Sequence, residues 1–157
     1  MLNSYADLVA LLERLKLPIA TNPDRSAIEV GTRIRGEPGR MILLWDPRAT
    51  LLHVIHPLPI TLDEARRGPL LEALARVNHA LVLPGYGADL DDGGLYFRWV
   101  VPRHADGSLT EDEVDRAVRT VLSSVRDFLP ALRAVAEGAA ASEVLAVAEA
   151  TRVPAEG

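Results

Sequence analysis

Four histidines are the side chains best suited to acid–base or metal chemistry in this sequence, and their spacing removes most of it. His53 and His56 form the one close pair on a regular element. Three residues apart on a strand, they face opposite sides and cannot hold one metal together. His79 and His104 fall at the ends of elements, with no ligand partners beside them. There is no cysteine, which excludes disulfides, thiol catalysis and thiolate metal sites. One acid–base arrangement survives as an alternative: His53 or His56 working with Asp46 in a small enzyme.

The loops carry weaker signals. Asp89-Leu90-Asp91-Asp92-Gly93-Gly94 resembles the start of a calcium loop, but its fifth and twelfth positions hold Gly93 and Val100, where oxygen ligands are needed. A hairpin turn exploiting Asp and Gly accounts for it. Gly85-Tyr86-Gly87 lacks the third glycine of a dinucleotide fingerprint and runs from strand to strand, so no helix start is present for a phosphate. No nucleophile elbow, phosphate-binding P-loop or H-E-x-x-H motif occurs. The expectation is a protein with no catalytic, cofactor-binding or metal residues, hence not an enzyme.

Composition sets the outer bounds. The 157 residues are 48% hydrophobic and 25% charged, the profile of a folded globular domain, with only 4% aromatic side chains to fill its core. No run reaches the ~20 apolar residues that span a bilayer, and the first residues lack a basic-then-apolar signal, so a soluble cytoplasmic protein is expected. The net charge of −5 argues against general nucleic-acid binding. Arg33, Arg35, Arg40 and Arg48 could form a local basic patch, but Glu29, Glu37 and Asp46 interleave with them. Direct nucleic-acid binding is therefore not expected, and an accessory role in nucleic-acid metabolism through a protein partner is the remaining alternative.

The chain reads as α-β-β-β-α-β-β-α, a single antiparallel sheet flanked by helices in an α+β domain. Leu8, Leu11, Leu12 and Leu15 mark a helix over about 5–17, closed by Pro18. From Ile28 the period changes to two, giving a strand with Ile28, Val30 and Ile34 inward, then a turn at Glu37–Arg40. Met41–Trp45 and Leu51–His56 are further strands, the second ended by Pro57 and Pro59. A helix over about 63–79 buries Leu70, Leu71, Leu74 and Val77, with Gly68-Pro69 interrupting its first half, so that its regular part begins either there or only at Pro69. Leu81–Leu83 begins the next strand, and Leu95–Val101 is the last. Thr110 and Glu113 form a capping box for a helix over 111–135, within which Pro130 should kink or break the backbone. Trp99, Val118 and Leu122 join the expected core. Residues 1–137 make up the domain, and the Ala-rich tail 138–157 is a weak helix or disordered.

Several strands are apolar on both faces. Leu95, Phe97, Trp99 and Val101 share one side, and Tyr96, Arg98 and Val100 the other; Met41, Leu43 and Trp45 oppose Ile42 and Leu44. If helices cover one set, the other is free to meet a partner. Trp45, Tyr96 and Trp99 are the expected protein-binding anchors, with Arg98 beside Tyr96 to orient an acidic segment. Tyr96 and Trp99 lie on opposite faces, so they cannot both meet a partner through one surface. The competing expectation is that these side chains complete a monomer core with a helix over 139–152 as its lid.

The stretch Leu74-Ala75-Arg76-Val77-Asn78, then Gly87-Ala88-Asp89-Leu90-Asp91, Gly94-Leu95-Tyr96-Phe97-Arg98 and Val101-Pro102 resembles the YbjN family of bacterial sensory transduction regulators. Leu109-Thr110-Glu111, Asp127 and Pro130-Ala131-Leu132 continue the likeness. In that pattern Asn78 closes a helix, and an acidic strand meets an Asp/Gly turn. The resemblance implies a fold shared with type III secretion chaperones. It also implies a non-enzymatic homodimer that binds another protein, without cofactor.

Overall fold

The computed structural model describes residues 1–154. Its elements are α1 (Tyr5–Arg14), β1 (Ile19–Asn22), β2 (Ala27–Ile34), β3 (Glu37–Asp46), β4 (Leu51–Thr61), α2 (Arg67–Ala80), β5 (Tyr86–Ala88), β6 (Gly94–Pro102), α3 (Glu111–Ala136) and α4 (Val144–Thr151). The six strands form one sheet in the order β1-β2-β3-β4-β6-β5, with antiparallel pairing. The expected α+β class and single antiparallel sheet are therefore observed. The chain divides into two compact units, Met1–His56 with Arg98–Leu122, and Pro57–Phe97 with Ser123 onward.

In the first unit, α1 starts at Ser4, whose hydroxyl accepts from the Asp7 amide, while the Asp7 carboxylate accepts from the Asn3 amide at 2.8 Å. The helix ends earlier than expected, because Lys16 turns left-handed (φ 55°) just past the Leu15 cap. Strand β1 was not foreseen. Its four residues show no alternation, and it pairs only with β2 at the sheet edge. The β2–β3 turn lies at Arg35-Gly36, both with positive φ, and not at Glu37–Arg40, which belongs to β3. Two consecutive left-handed residues give the twist a two-residue hairpin needs. Ile28, Val30, Ile34, Met41, Leu43, Trp45, Leu52, Val54 and His56 are buried, as are Leu8, Leu11, Leu12, Val114, Ala117 and Val121 of the helices. The capping box is in place: the Thr110 hydroxyl accepts from the Glu113 amide, and Glu113 accepts from the Thr110 amide at 2.7 Å.

The expected end of β4 at Pro57 is wrong; the strand continues to Thr61. Its register with β3 runs from Leu51 to Ile55, so the missing N–H groups of Pro57 and Pro59 fall beyond that ladder.

In the second unit, α2 begins at Arg67 and not near residue 63. The Asp63 side chain accepts the Arg66 amide, making a turn of the preceding segment. Leu81–Leu83 is not a strand: it lies in the connection before β5, and Val82 is 94% exposed. The Asp89 carboxylate accepts the amides of Asp91 and Asp92, and Asp92 accepts that of Gly94, so the acidic loop is a backbone-capping turn. Helix α3 runs unbroken through Pro130. Its buried line is Val114, Ala117, Val121, Val125, Phe128, Leu132 and Val135. That line leaves Val118 and Leu122 half-buried on its flank; Leu71 and Trp99 are half-buried too, so these four are not core. After Gly138 a 3-10 turn, Ala141–Glu143, leads into α4, with Ala141, Val144 and Ala148 buried. Residues 155–157 of the tail lie outside the described residues.

Candidate functional site

The β3–β4 hairpin carries the two-sided apolar pattern into structure. Its register places Leu43 opposite Val54 and Trp45 opposite Leu52 on one side. Ile42–Ile55, Leu44–His53 and Asp46–Leu51 oppose one another on the alternate side. The first set is between 0% and 4% exposed, so that side is closed. Ile42, Leu44, Leu51, His53 and Ile55 are only half-buried. Strand β6, next to β4, adds half-buried Val100 and exposed Arg98 from the same unit. Ile42, Leu44, Leu51, Ile55 and Val100 are thus half-buried aliphatic residues of this unit, where the alternate set is closed.

Two titratable groups flank these residues. Asp46 turns its carboxylate onto the Arg48 and Ala49 amides at 2.8 and 3.0 Å, which holds it below the usual carboxylate range. His53 titrates below the usual imidazole range, first because burial disfavours its charged form and second because Arg98 is positive; Asp46 opposes both. Both effects favour the neutral ring.

The expected anchors separate. Trp45 is on the closed side, 4% exposed, with the Arg103 guanidinium 4.4 Å from its ring centre. Arg103 is itself held by the carbonyls of Asp46 and Gly107. On that side the Arg103 cation covers the Trp45 ring. Trp99 is half-buried and Arg98 exposed, on opposite sides of β6. Tyr96 lies in the second unit, paired with Gly87, and its ring fills the space a side chain there would need: a Cβ would come within 2.6 Å of it.

The candidate acid–base group does not assemble around both histidines. His56 is buried on the closed side with Nε2 3.0 Å from the Thr32 hydroxyl, whereas His53 is on the open side. Arg40 pairs with Glu29 at 3.3 Å, and Arg33 donates to the Gly36 carbonyl, so both are already engaged. Among the described residues no group of three His, Asp or Glu is arranged to hold a metal.

Sequence reasoning missed a cleft of about 420 Å³ in the second unit, lined by Leu81, Ser124, Asp127, Phe128, Leu145 and Glu149. It depends on where α4 lies, which no local pattern reveals.

The chain was compared with known proteins. No curated protein matches it. Among solved structures, a chain of the HopA1-SchA chaperone–effector complex is 19% identical, with a TM-score of 0.49 over 87% of this chain and 96% of that one. The family described as "Putative bacterial sensory transduction regulator" matches residues 4–134. Over that span, which includes the open hairpin and all six strands, the chain belongs to the YbjN family.

Proposed function

We propose that this protein is a non-enzymatic, cytoplasmic protein-binding module of the regulator or chaperone kind that acts as a homodimer. The observation that carries the reading is the less buried side of the β3–β4 hairpin, where Ile42, Leu44, Leu51 and Ile55 are only half-buried while the opposite side is closed. Clustered aliphatic area of this kind is rare on soluble proteins without a partner. Membership of a family of sensory transduction regulators supports the same role. Among the described residues no helix is long and apolar enough to cross a membrane.

The test is sedimentation velocity over a wide concentration range, followed by capture from native lysate on wild type and on Leu44→Asp and Ile55→Asp variants. A dimer, with a polypeptide retained by wild type and lost from both variants, is expected. A monomer at every concentration refutes the dimer. Identical captures by wild type and variants refute the assignment of the face.

A further inference from the structure

We propose that the cleft of the second unit binds a small uncharged amphiphile, an apolar chain that fills the cleft and ends in one hydroxyl or carbonyl group. The site uses none of the β3–β4 residues and is independent of the protein-binding reading above.

Three stretches of the second unit build it. Helix α3 contributes Ser124, Asp127 and Phe128, three and four residues apart and so on one face. Helix α4 contributes Leu145, Ala148 and Glu149 at the same spacing, with Arg152 further along. Leu81, where the chain leaves α2 in an extended conformation, completes the wall. The α3 side is braced: the Tyr86 ring meets Phe128 edge-on at 6.1 Å, and its hydroxyl donates to the Ser124 carbonyl at 2.7 Å. On the α4 side only Ala148 is buried, and its single methyl group leaves a volume of about 420 Å³ open. That lies within the range of small-molecule sites, roughly 300–1,000 Å³.

The lining selects the occupant. Leu81, Phe128, Leu145 and Ala148 supply carbon, and the chain past Leu81 stays apolar at Val82 and Leu83, 94% and 45% exposed. Water beside such surface is poorly held, and an apolar group that displaces it gains affinity. Each charge on the wall already has its counter-charge. The Asp127 carboxylate accepts from Arg126 Nε at 2.9 Å, and Glu149 pairs with Arg152 at 3.4 Å. An ionised head group would lose hydration here without gaining an opposite charge of its own. Ser124 is different. Its carbonyl is taken by Tyr86, but its hydroxyl has no protein partner among the described residues. A hydroxyl donates and accepts, so it can meet either an alcohol or a carbonyl.

The experiment titrates the full chain at pH 7 with 1-octanol, octanoate and octylammonium, each below micelle formation, and follows backbone amides by NMR. The three probes share one chain and differ in the charge of the head. 1-Octanol should shift the signals of Ser124, Leu145 and Ala148 and slow amide exchange in α4. Octanoate and octylammonium should bind on the order of tenfold more weakly. Ser124→Ala should weaken 1-octanol about fivefold, the loss of one neutral hydrogen bond. Ala80→Trp and Leu145→Trp place a bulky ring at exposed positions on the cleft wall and should each displace the probe by filling its space. Circular dichroism selects the folded variants, and either tryptophan variant suffices. Equal affinity for all three probes, tighter binding of either ion, shifts centred away from the cleft, or no saturable binding would each overturn the inference. So would unchanged affinity in Ser124→Ala, or 1-octanol binding that survives a folded tryptophan variant. The sedimentation and capture results on Leu44→Asp and Ile55→Asp decide the protein-binding reading separately.

Discussion

Replacing Asn78 should detach β5 from α2. The side chain sits in the last turn of that helix and reaches across to the backbone of β5. Its Oδ1 accepts from the Tyr86 amide at 2.9 Å and from the Gly85 amide at 3.2 Å, and its Nδ2 donates to the Tyr86 carbonyl at 2.9 Å. The side-chain amide thus acts as a neighbouring strand for Tyr86, whose own ring packs edge-on to Phe97 and Phe128 and whose hydroxyl donates to the Ser124 carbonyl. In Asn78→Ala all three bonds go. The Gly85 amide can turn to water, but Tyr86 is buried, so its two backbone groups lose partners without replacement. At roughly 1 kcal/mol net per bond, with an added penalty for groups left buried, the loss is about 2–3 kcal/mol. For a chain of this length that lowers Tm by roughly 5–10 °C. Asn78→Asp separates the contributions, since it keeps an acceptor for the amides but sets a second oxygen against the Tyr86 carbonyl. At neutral pH it should be about as damaging as alanine, and relative to wild type it should recover below pH ~4, where a carboxylic acid can donate. Urea unfolding followed by circular dichroism, with unchanged m-values, measures both. An alanine variant within ~0.5 kcal/mol of wild type, or an aspartate variant equal to it at pH 7, would show that these bonds do not hold β5.

Arg66 donates to the carbonyls of Val135 and Ala139 at the end of α3, so Arg66→Ala should cost about 1–2 kcal/mol and increase amide exchange in α4; unchanged exchange there refutes the clamp. Gly87→Ala should cost about 1 kcal/mol alone and much less in a Tyr96→Ala background, because the clash is with that ring; strict additivity in the double-mutant cycle refutes it. Glu113 is held below its ordinary value of 4.5, first by the Thr110 amide. A depressed carboxylate contributes stability that is present above its unfolded pKa and lost as pH falls through the folded one. Stability should therefore drop below about pH 4.5, and Glu113→Gln should flatten that drop when urea midpoints are measured across pH. His53 is depressed from 6.5, so the unfolded chain binds its proton more readily and stability should also decline as pH falls from 6.5. His53→Gln should remove that decline, and an unchanged slope would refute it.

How much of this was legible depended on whether a residue's fate was decided locally. Thr110 and Glu113 announce their helix because the capping box closes within four residues, and the structure holds it as read. The alternation Ile28, Val30, Ile34 identified the buried side of β2, since a period of two permits only one assignment once one face is covered. Reasoning failed where a distant element decided. Strand β1 has no alternation of its own and exists because β2 offers it a ladder. Pro57 and Pro59 stop the predicted strand, yet β4 continues past them, beyond the end of its ladder with β3 at Ile55. The turn misplaced to Glu37–Arg40 was drawn there by Pro38-Gly39, while Arg35 adopts the left-handed conformation that only the hairpin register reveals.

The candidate site follows the same division. Both faces of β3 and β4 were readable as apolar, but which one is closed was not, because an alternating strand is symmetric in this respect until helices choose a side. Aromatic size favoured Trp45 as an anchor, and the ring is buried on the closed side with Arg103 stacked over its face. Tyr96 is occupied by the absence of a side chain at Gly87, a tertiary pairing that spacing along the chain cannot show. What remains outward is made of smaller residues, Ile42, Leu44, Leu51 and Ile55. Aliphatic side chains on a flat sheet bind by area and leave discrimination to the charges around them.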